Sequence, residues 1–290
     1  MTSAFDSVGG LRLVRIGIQV DGIFTYFQDI DIRISGQKFA SPSSNVCTIK
    51  ISNLTRAQRN WLLTNASPII PSSGSSRVPA YVVVDVGRTS YGYFRLYEGY
   101  TWVSSVTQPP DIGLTLTSLA QSQLAGLVQS NTQGAITQLE AIAQSVADQC
   151  QLDLVFLATP KQVANYRFTG GVTKQIQALQ DIGGVRAWED NGLLYVIDQD
   201  AFRESNGFVL SMATGMVGVP VSNQQGCTAK MLVSPLVNLG DKITVNSVLN
   251  PSVNGLPFRV SQIGFDITNR DTPFYYDLVL SNNLAILGAT

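Results

Sequence analysis

Histidine is absent from all 290 residues, and that omission removes Ser-His-Asp and Cys-His nucleophilic systems, imidazole metal sites and the usual pH switch. Cysteine is scarce. The three present, Cys47, Cys150 and Cys227, lie far apart without a CxxC pair, so neither a zinc knuckle nor a redox motif is indicated. Each falls in an apolar pattern that suits a small buried thiol. Charge is low as well: Asp, Glu, Lys and Arg supply 13% of the chain, against about a quarter in an ordinary soluble protein. Polarity comes instead from Ser, Thr, Asn and Gln, a hint of surfaces made for protein contact. A net charge of -1 argues against a protein whose main task is gripping phosphate backbones, which requires clustered Lys and Arg. No run approaches the roughly 20 apolar residues that span a bilayer. Met1 to Asp6 also lack the basic region and apolar core of a secretory signal. The expectation is a chain without stable membrane insertion and not exported by a cleaved signal, in which Asn53-Leu-Thr55 and Asn65-Ala-Ser67 match the glycosylation sequon by chance.

What is present is mostly strand. Up to about Leu116, Ile30, Ile32 and Ile34 alternate with polar residues, as do Cys47, Ile49 and Ile51, giving each run one apolar face. Thr55 and Gln58 have the spacing of a capping box ahead of a short helix through Trp61, Leu62 and Leu63. Residues 67–76 read as a flexible excursion before a strand at Tyr81–Val86. Further strands are expected at Arg95–Tyr100, Trp102–Val106 and, after a Pro109-Pro110-Asp111 turn, Ile112–Leu116. The polar stretch Thr117–Gly134 has no clear period.

The period then turns helical. Ile136, Leu139, Ala143, Val146 and Cys150 form one stripe over Ala135–Cys150, and Ile176, Leu179 and Ile182 form another over Val172–Ile182, stopped by Gly183-Gly184. Between them Leu152–Leu157 reads as a strand, and Val185–Trp188 with Leu193–Ile197 as a hairpin around Asp190-Asn-Gly192. From Gly215 to Leu280, β-branched and aromatic runs alternate with turn residues: Gly215–Pro220, Cys227–Val233, Lys242–Leu249, Phe258–Ile267 and Phe274–Leu280. The fold class is mainly β with an α/β insertion. The boundaries expected are 1–117 for a first β domain, 118–213 for a connector and the α/β insertion, and 214–290 for a second β domain.

Paired carboxylates could cleave glycosides without histidine, and Glu98, in the aromatic setting Tyr93 to Trp102, and Asp111 are the residues to weigh. Glu98 also suits a strand end. Glu189-Asp190 falls at a hairpin turn, where solvation explains it, and Glu140 on the polar face of a helix. Phe168-Thr-Gly-Gly-Val172 resembles a phosphate turn only superficially: neither GxGxxG nor GxxxxGKS/T occurs, so Gly170 and Gly171 serve a sharp turn into the helix, and Lys174 does not alter that. Tyr91, Tyr93, Phe94, Tyr97, Tyr100 and Trp102 could stack bases or sugars, but only Arg88 and Arg95 lie among them, and such residues more often fill a barrel interior or an inter-subunit seam. No SxxK nucleophile motif occurs. No catalytic, cofactor-binding or metal-ligating residue is assigned.

In order along the chain, the motifs resemble the baseplate hub proteins of contractile phage tails, related to the hubs of other contractile injection systems. Asn45-Val-Cys-Thr-Ile-Lys-Ile-Ser-Asn-Leu-Thr55 is similar to the hub strand that ends in an Asn-Leu-Ser/Thr helix cap. Val-Asp-Val-Gly87 and Leu-Tyr-Glu-Gly99 resemble the following strand pair. Thr214-Gly-Met-Val-Gly-Val-Pro220, Leu-Val-Ser-Pro235, Asn254-Gly255 and Val260-Ser-Gln-Ile263 resemble the closing β domain. Hubs often carry a histidine where this chain has Gly264-Phe-Asp266, so no role of that imidazole carries over.

The resemblance implies two tube-like antiparallel β-barrel domains flanking the α/β domain, and a homotrimer presenting six similar barrels in a ring. Such a ring joins the sixfold tail tube or its initiator proteins to a threefold central spike, contacts other baseplate proteins, and lets DNA pass through its lumen. It implies a virion protein assembled in the bacterial host cytoplasm, without cofactor or bond chemistry. The competing readings are a carboxylate-dependent glycan hydrolase using Glu98 or Asp111, and a non-enzymatic tail-tip or glycan-binding module.

Overall fold

The computed structural model describes residues 10–20, 22–66, 79–107, 113–124, 126–204 and 206–282. Over these residues the chain is mainly β, with large antiparallel sheets and a few helices. It divides into two compact units, each discontinuous in sequence. One comprises residues up to Gln37, Asn45–Gln123 and Phe265–Tyr275; the other comprises Lys38–Ser44, Leu124–Gly264 and the residues from Tyr276 onward.

The first unit is built on β1 (Arg12–Val20), β2 (Ile23–Phe27), β3 (Asp31–Phe39), β4 (Val46–Ser52), helix α1 (Arg56–Asn65), β5 (Tyr81–Arg88), β6 (Gly92–Val106) and β7 (Gly113–Leu119). Its strands run in the order β2-β1-β5-β6-β7-β4-β3, each pair antiparallel. The expected alternation sets the register: Ile32 and Ile34 face Ile51 and Ile49 across β3 and β4, and Ile49 and Ile51 face Leu116 and Leu114 on β7. All are fully buried; each such aliphatic side chain contributes about 1.5–3 kcal/mol.

The capping box forms as expected, Thr55 Oγ1 accepting from the Gln58 amide at 3.2 Å while Thr55 N–H donates to Gln58 Oε1 at 3.0 Å. The two segments expected at Arg95–Tyr100 and Trp102–Val106 form one strand. The register shifts at Val84/Asp85 and at Thr101/Val103, leaving Leu96 and Trp102 as extra residues that bend β6 without ending it. Two glycines of the hub-like motif have a steric reason to be there: a Cβ at Gly87 would lie 1.9 Å from the Gly92 carbonyl oxygen, and one at Gly99 would lie 2.4 Å from the Tyr97 hydroxyl. The excursion at 67–76 and the Pro109-Pro110-Asp111 turn lie outside the described residues.

The second unit contains the α/β segment: β8 (Gln129–Thr132), β9 (Ile136–Gln138), α2 (Leu139–Cys150), β10 (Asp153–Phe156), β11 (Gln162–Ala164), β12 (Arg167–Gly170), α3 (Val172–Gly183), β13 (Val185–Asp190) and β14 (Leu193–Asp198). Its two helices bury Leu139, Ile142, Val146, Ile176 and Leu179 against β13 and β14. The hairpin turn is as expected, with Asn191 and Gly192 at φ 50 and φ 76, the left-handed pair a two-residue hairpin needs.

Two helical expectations are corrected. Ile136–Gln138 pairs with β11, and Leu139 N–H bonds the Lys161 carbonyl, so strand pairing outcompetes the first helical turn and Ile136 is 67% exposed. On α3 the buried stripe runs Ile176, Leu179, Gly183, leaving Ile182 at 45% exposure rather than inward.

The remainder of this unit is β15 (Phe208–Leu210), β16 (Met216–Asn223), β17 (Gly226–Leu232), β18 (Lys242–Val245), β19 (Pro257–Thr268) and β20 (Phe274–Asn282). The division between units falls within β19 and β20. The run expected to continue to Leu249 stops at Val245, because Ser247 N–H bonds Asn254 Oδ1 at 2.7 Å and Asn254 Nδ2 returns to the Ser247 carbonyl, closing a loop.

All three cysteines are free and buried. Burial pushes the Cys47 thiol far up, that of Cys150 up to about 12 and that of Cys227 up to about 11, so none is a thiolate at neutral pH. A thiol reagent such as dithionitrobenzoate is therefore expected to leave the native chain unlabelled at pH 8 and to titrate all three thiols in denaturant. Rapid labelling of the native chain would contradict this burial.

Candidate functional site

Asp85 is a carboxylate inside an apolar strand, Tyr-Val-Val-Val-Asp-Val, and the sheet supplies its counter-ions. Register puts Arg15 of β1 and Arg95 of β6 on either side of it. Arg15 Nε donates to Asp85 Oδ2 at 2.9 Å, Arg95 Nε donates to Asp85 Oδ1 at 2.6 Å, and Arg95 Nη1 reaches Glu98 Oε2 at 2.7 Å. Aromatic rings cover the cluster. The Arg15 guanidinium lies 4.9 Å from the Tyr26 ring centre and 4.4 Å from that of Tyr93, Tyr81 packs on Tyr100 at 5.1 Å, and Phe24 touches both Tyr26 and Tyr81. Burial, then the Glu98 carboxylate, pushes the Tyr81 phenol up. Two cations meet two carboxylates, so this face of the first unit is neutral, aromatic and internally paired. That chemistry packs against a neighbour better than it moves protons.

Glu98 is held by Arg95, its side chain 16% exposed, and Asp111 lies outside the described residues. Glu140 is exposed, as expected. Glu189 and Asp190 correct the solvation reading: both are buried, because the Glu189 carboxylate accepts the Gly192 N–H at 3.2 Å and Asp190 ion-pairs with Lys38. Gly171 is the N-cap of α3 at φ -75, and a Cβ at Gly170 would lie 2.8 Å from the Phe168 ring. Close packing under Phe168 therefore accounts for Gly170. Within the aromatic cluster Tyr97 is buried and bonds Ser118 Oγ at 3.2 Å, whereas Tyr93 and Trp102 are 37% and 48% exposed. Among the described residues no group of three or more His, Cys, Asp or Glu side chains could hold a metal ion, and no helix is long and apolar enough to cross a membrane.

Three basic side chains that sequence reasoning passed over organise the second unit. Lys38 takes Asp190. Arg203 holds Asp241 with two parallel bonds of 2.8 and 3.0 Å, the bidentate fit particular to a guanidinium. Arg259 on β19 is 1% exposed and donates to the carbonyls of Gln199 and Ala201 at 3.1 and 2.8 Å, with the Phe202 ring 5.6 Å away. Burial, with Arg186 nearby, lowers the Arg259 guanidinium to about 10, so it stays charged at neutral pH. Arg203 and Arg259 together fix the segment leaving β14 onto the closing strands. Lys38 and Arg259 had a readable signal, an ionisable residue on the apolar parity of a strand or in an otherwise apolar run, whereas Arg203, in the polar stretch Asp200-Ala-Phe-Arg-Glu204 between strands, had none.

The model of a family described as baseplate hub gp41 matches residues 13–279. No curated protein sequence matches the chain. Among solved structures, the chain is similar to the 43 kDa tail protein of prophage MuSo2 from Shewanella oneidensis (10% identity, TM-score 0.65, 93% of this chain and 98% of that one). It is similar to a tail protein from Neisseria meningitidis (11% identity, TM-score 0.62, 94% and 97%). It is also similar to an E. coli component of the type VI secretion system, itself described as structurally similar to T4 tail proteins (12% identity, TM-score 0.59, 91% and 76%). At these identities the likeness is one of fold.

Proposed function

The chain belongs to the baseplate hub gp41 family, a structural part of the phage tail baseplate, and on that premise we propose that three copies close into a ring between the sixfold tail tube and the threefold central spike. The observation that carries this reading is the family match over nearly the whole chain, residues 13–279. In the ring, residues 1–117 and 214–290 form tube-like barrels, two per chain and six per trimer, and residues 118–213 brace them. The ring binds tail-tube or tube-initiator proteins on one side, the central spike on the other and further baseplate proteins around its rim. Its lumen forms part of the channel through which DNA leaves a contractile tail. Assembly takes place in the host cytoplasm, and the finished protein resides in the virion.

The neutral, ring-covered face around Asp85 suits a seam between subunits, where a large interface, commonly above about 2,000 Å² in obligate assemblies, supplies the affinity. Low charge and a mainly β fold support the same reading. Mass photometry of the purified chain, alone and with tail-tube or spike protein, tests it: trimers or tube-bound rings are expected. A strictly monomeric chain with no affinity for either partner overturns it.

The role requires no bond chemistry. Glu98 and the nearby Asp85 are both tied to the Arg95 guanidinium, so neither is free to serve as a catalytic acid or base, and Glu98→Gln is expected to leave baseplate assembly unchanged. Reducing-sugar release from cell-wall or capsule glycan by the unsubstituted chain, lost in Glu98→Gln, would favour a hydrolase instead.

A further inference from the structure

The sequence contains three Asn-Gly pairs, at 191–192, 206–207 and 254–255, and the second unit holds them differently. An Asn-Gly pair can react with itself, because glycine has no Cβ to obstruct approach of its amide nitrogen to the preceding side chain. Two of the three are locked. Asn254 Oδ1 accepts from Ser247 N–H at 2.7 Å and its Nδ2 donates to the Ser247 carbonyl at 2.9 Å, so its carboxamide cannot turn toward Gly255 without giving up both bonds. Asn191 is fixed at φ 50 in the β13–β14 hairpin, and the Gly192 N–H is held by Glu189 Oε1 at 3.2 Å. A carboxylate at that distance opposes loss of the amide proton.

Asn206 is the open one. It is exposed, it lies between β14 and β15 outside any helix or strand, and no hydrogen bond holds its carboxamide among the described residues. Gly207 has φ 65, and Lys242 of β18 lays its stem against it, with Cε 3.8 Å from where a Gly207 Cβ would stand. The ammonium, one bond further, lies beside the Asn206–Gly207 peptide. There it favours the negative charge that builds on the attacking nitrogen and on the carboxamide oxygen.

We infer that Asn206–Gly207 is a self-modifying site, at which Asn206 converts to aspartate and isoaspartate. The Gly207 nitrogen gives its proton to water and bonds to Asn206 Cγ; the Cγ–Nδ2 bond then breaks, and ammonia leaves a succinimide behind. Water opens the ring at either carbonyl, so the net change is carboxamide plus water to carboxylate plus ammonium. The product places a carboxylate in residues 205–229, a stretch with no charged side chain. Lys242 is at hand to pair with it. The reaction needs no partner, so its outcome is separate from that of the ring.

Peptide mapping by mass spectrometry on the full chain, aged in mildly alkaline buffer, tests this. Conversion at Asn206 is expected to run about tenfold or more ahead of Asn254, the factor set by the two bonds Asn254 must give up, and ahead of Asn191 as well. In denaturant, where no fold distinguishes the three, their rates converge. Lys242→Met keeps the stem on Gly207 and removes the charge, and is expected to slow conversion about threefold. Asn206→Gln, whose longer side chain has to close a larger ring, is expected to abolish the product at that position. Conversion at Asn191 or Asn254 that matches or precedes Asn206, the same ranking in denaturant, or a rate indifferent to Lys242→Met would each overturn the inference.

Discussion

Lys38→Met is expected to cost about 3–5 kcal/mol of stability, the price of stranding one partner of a buried ion pair. β3 carries Ile32, Ile34, Gly36 and Lys38 at alternate positions, and the last of these brings a lysine to the apolar parity of the strand. Lys38 and Asp190 have side chains only 6% and 9% exposed, so neither can be hydrated by water once the other is gone. A loss of this size is a large fraction of the about 5–15 kcal/mol that holds an ordinary domain together. The control is the double variant Lys38→Met with Asp190→Asn, which removes both charges and is expected to recover more than half of the loss. Equilibrium denaturation followed by tryptophan emission reads the difference. A single-variant loss below about 1 kcal/mol would place the pair among exposed ion pairs of negligible worth.

Arg259→Ala is expected to cost about 2–4 kcal/mol, from the cavity left by a large buried side chain and from charge-assisted bonds to two carbonyls. The effect has an address as well as a size. Gln199 and Ala201 lie on the segment between β14 and β15, so losing the guanidinium frees the exit of the α/β segment before it disturbs the helices. Hydrogen–deuterium exchange is expected to show faster exchange across residues 198–204, with protection in α2 and α3 retained. Arg259→Lys should give an intermediate result, because one ammonium cannot span two carbonyls as a planar fork does. Unchanged protection across that segment would contradict the clamp.

Much of this architecture can be read from periodicity, and the exceptions share a cause. The alternation in β3 and β4, the Thr55 cap and the Asn191-Gly192 turn are local features, decided by residues a few positions apart. Local periodicity places Ile136 in the helix because the partner that pulls Ile136–Gln138 into a strand, β11, lies some 25 residues on. β6 looks like two strands in the sequence because a bulge resembles a break when the neighbouring strand is not in view.

Chemistry was harder to read than fold. Asp190 sits at a turn and would be solvated on local grounds, yet it is buried by Lys38, 152 positions away. The cluster at Asp85 is likewise a product of register, since Arg15 and Arg95 become its neighbours only once β1, β5 and β6 pair. The visible signs are Asp85 inside an apolar strand and Lys38 on the apolar parity of β3. Such a sign says a partner is required without saying which one.

The ring itself is tested most directly by counting subunits in place. A cryo-electron microscopy reconstruction of the tail tip is predicted to show three copies of this chain around the tail axis, between the tube and the spike, with residues 1–117 and 214–290 as six superposable barrels about the lumen. A copy number other than three, or a position off the axis at the baseplate periphery, would contradict it.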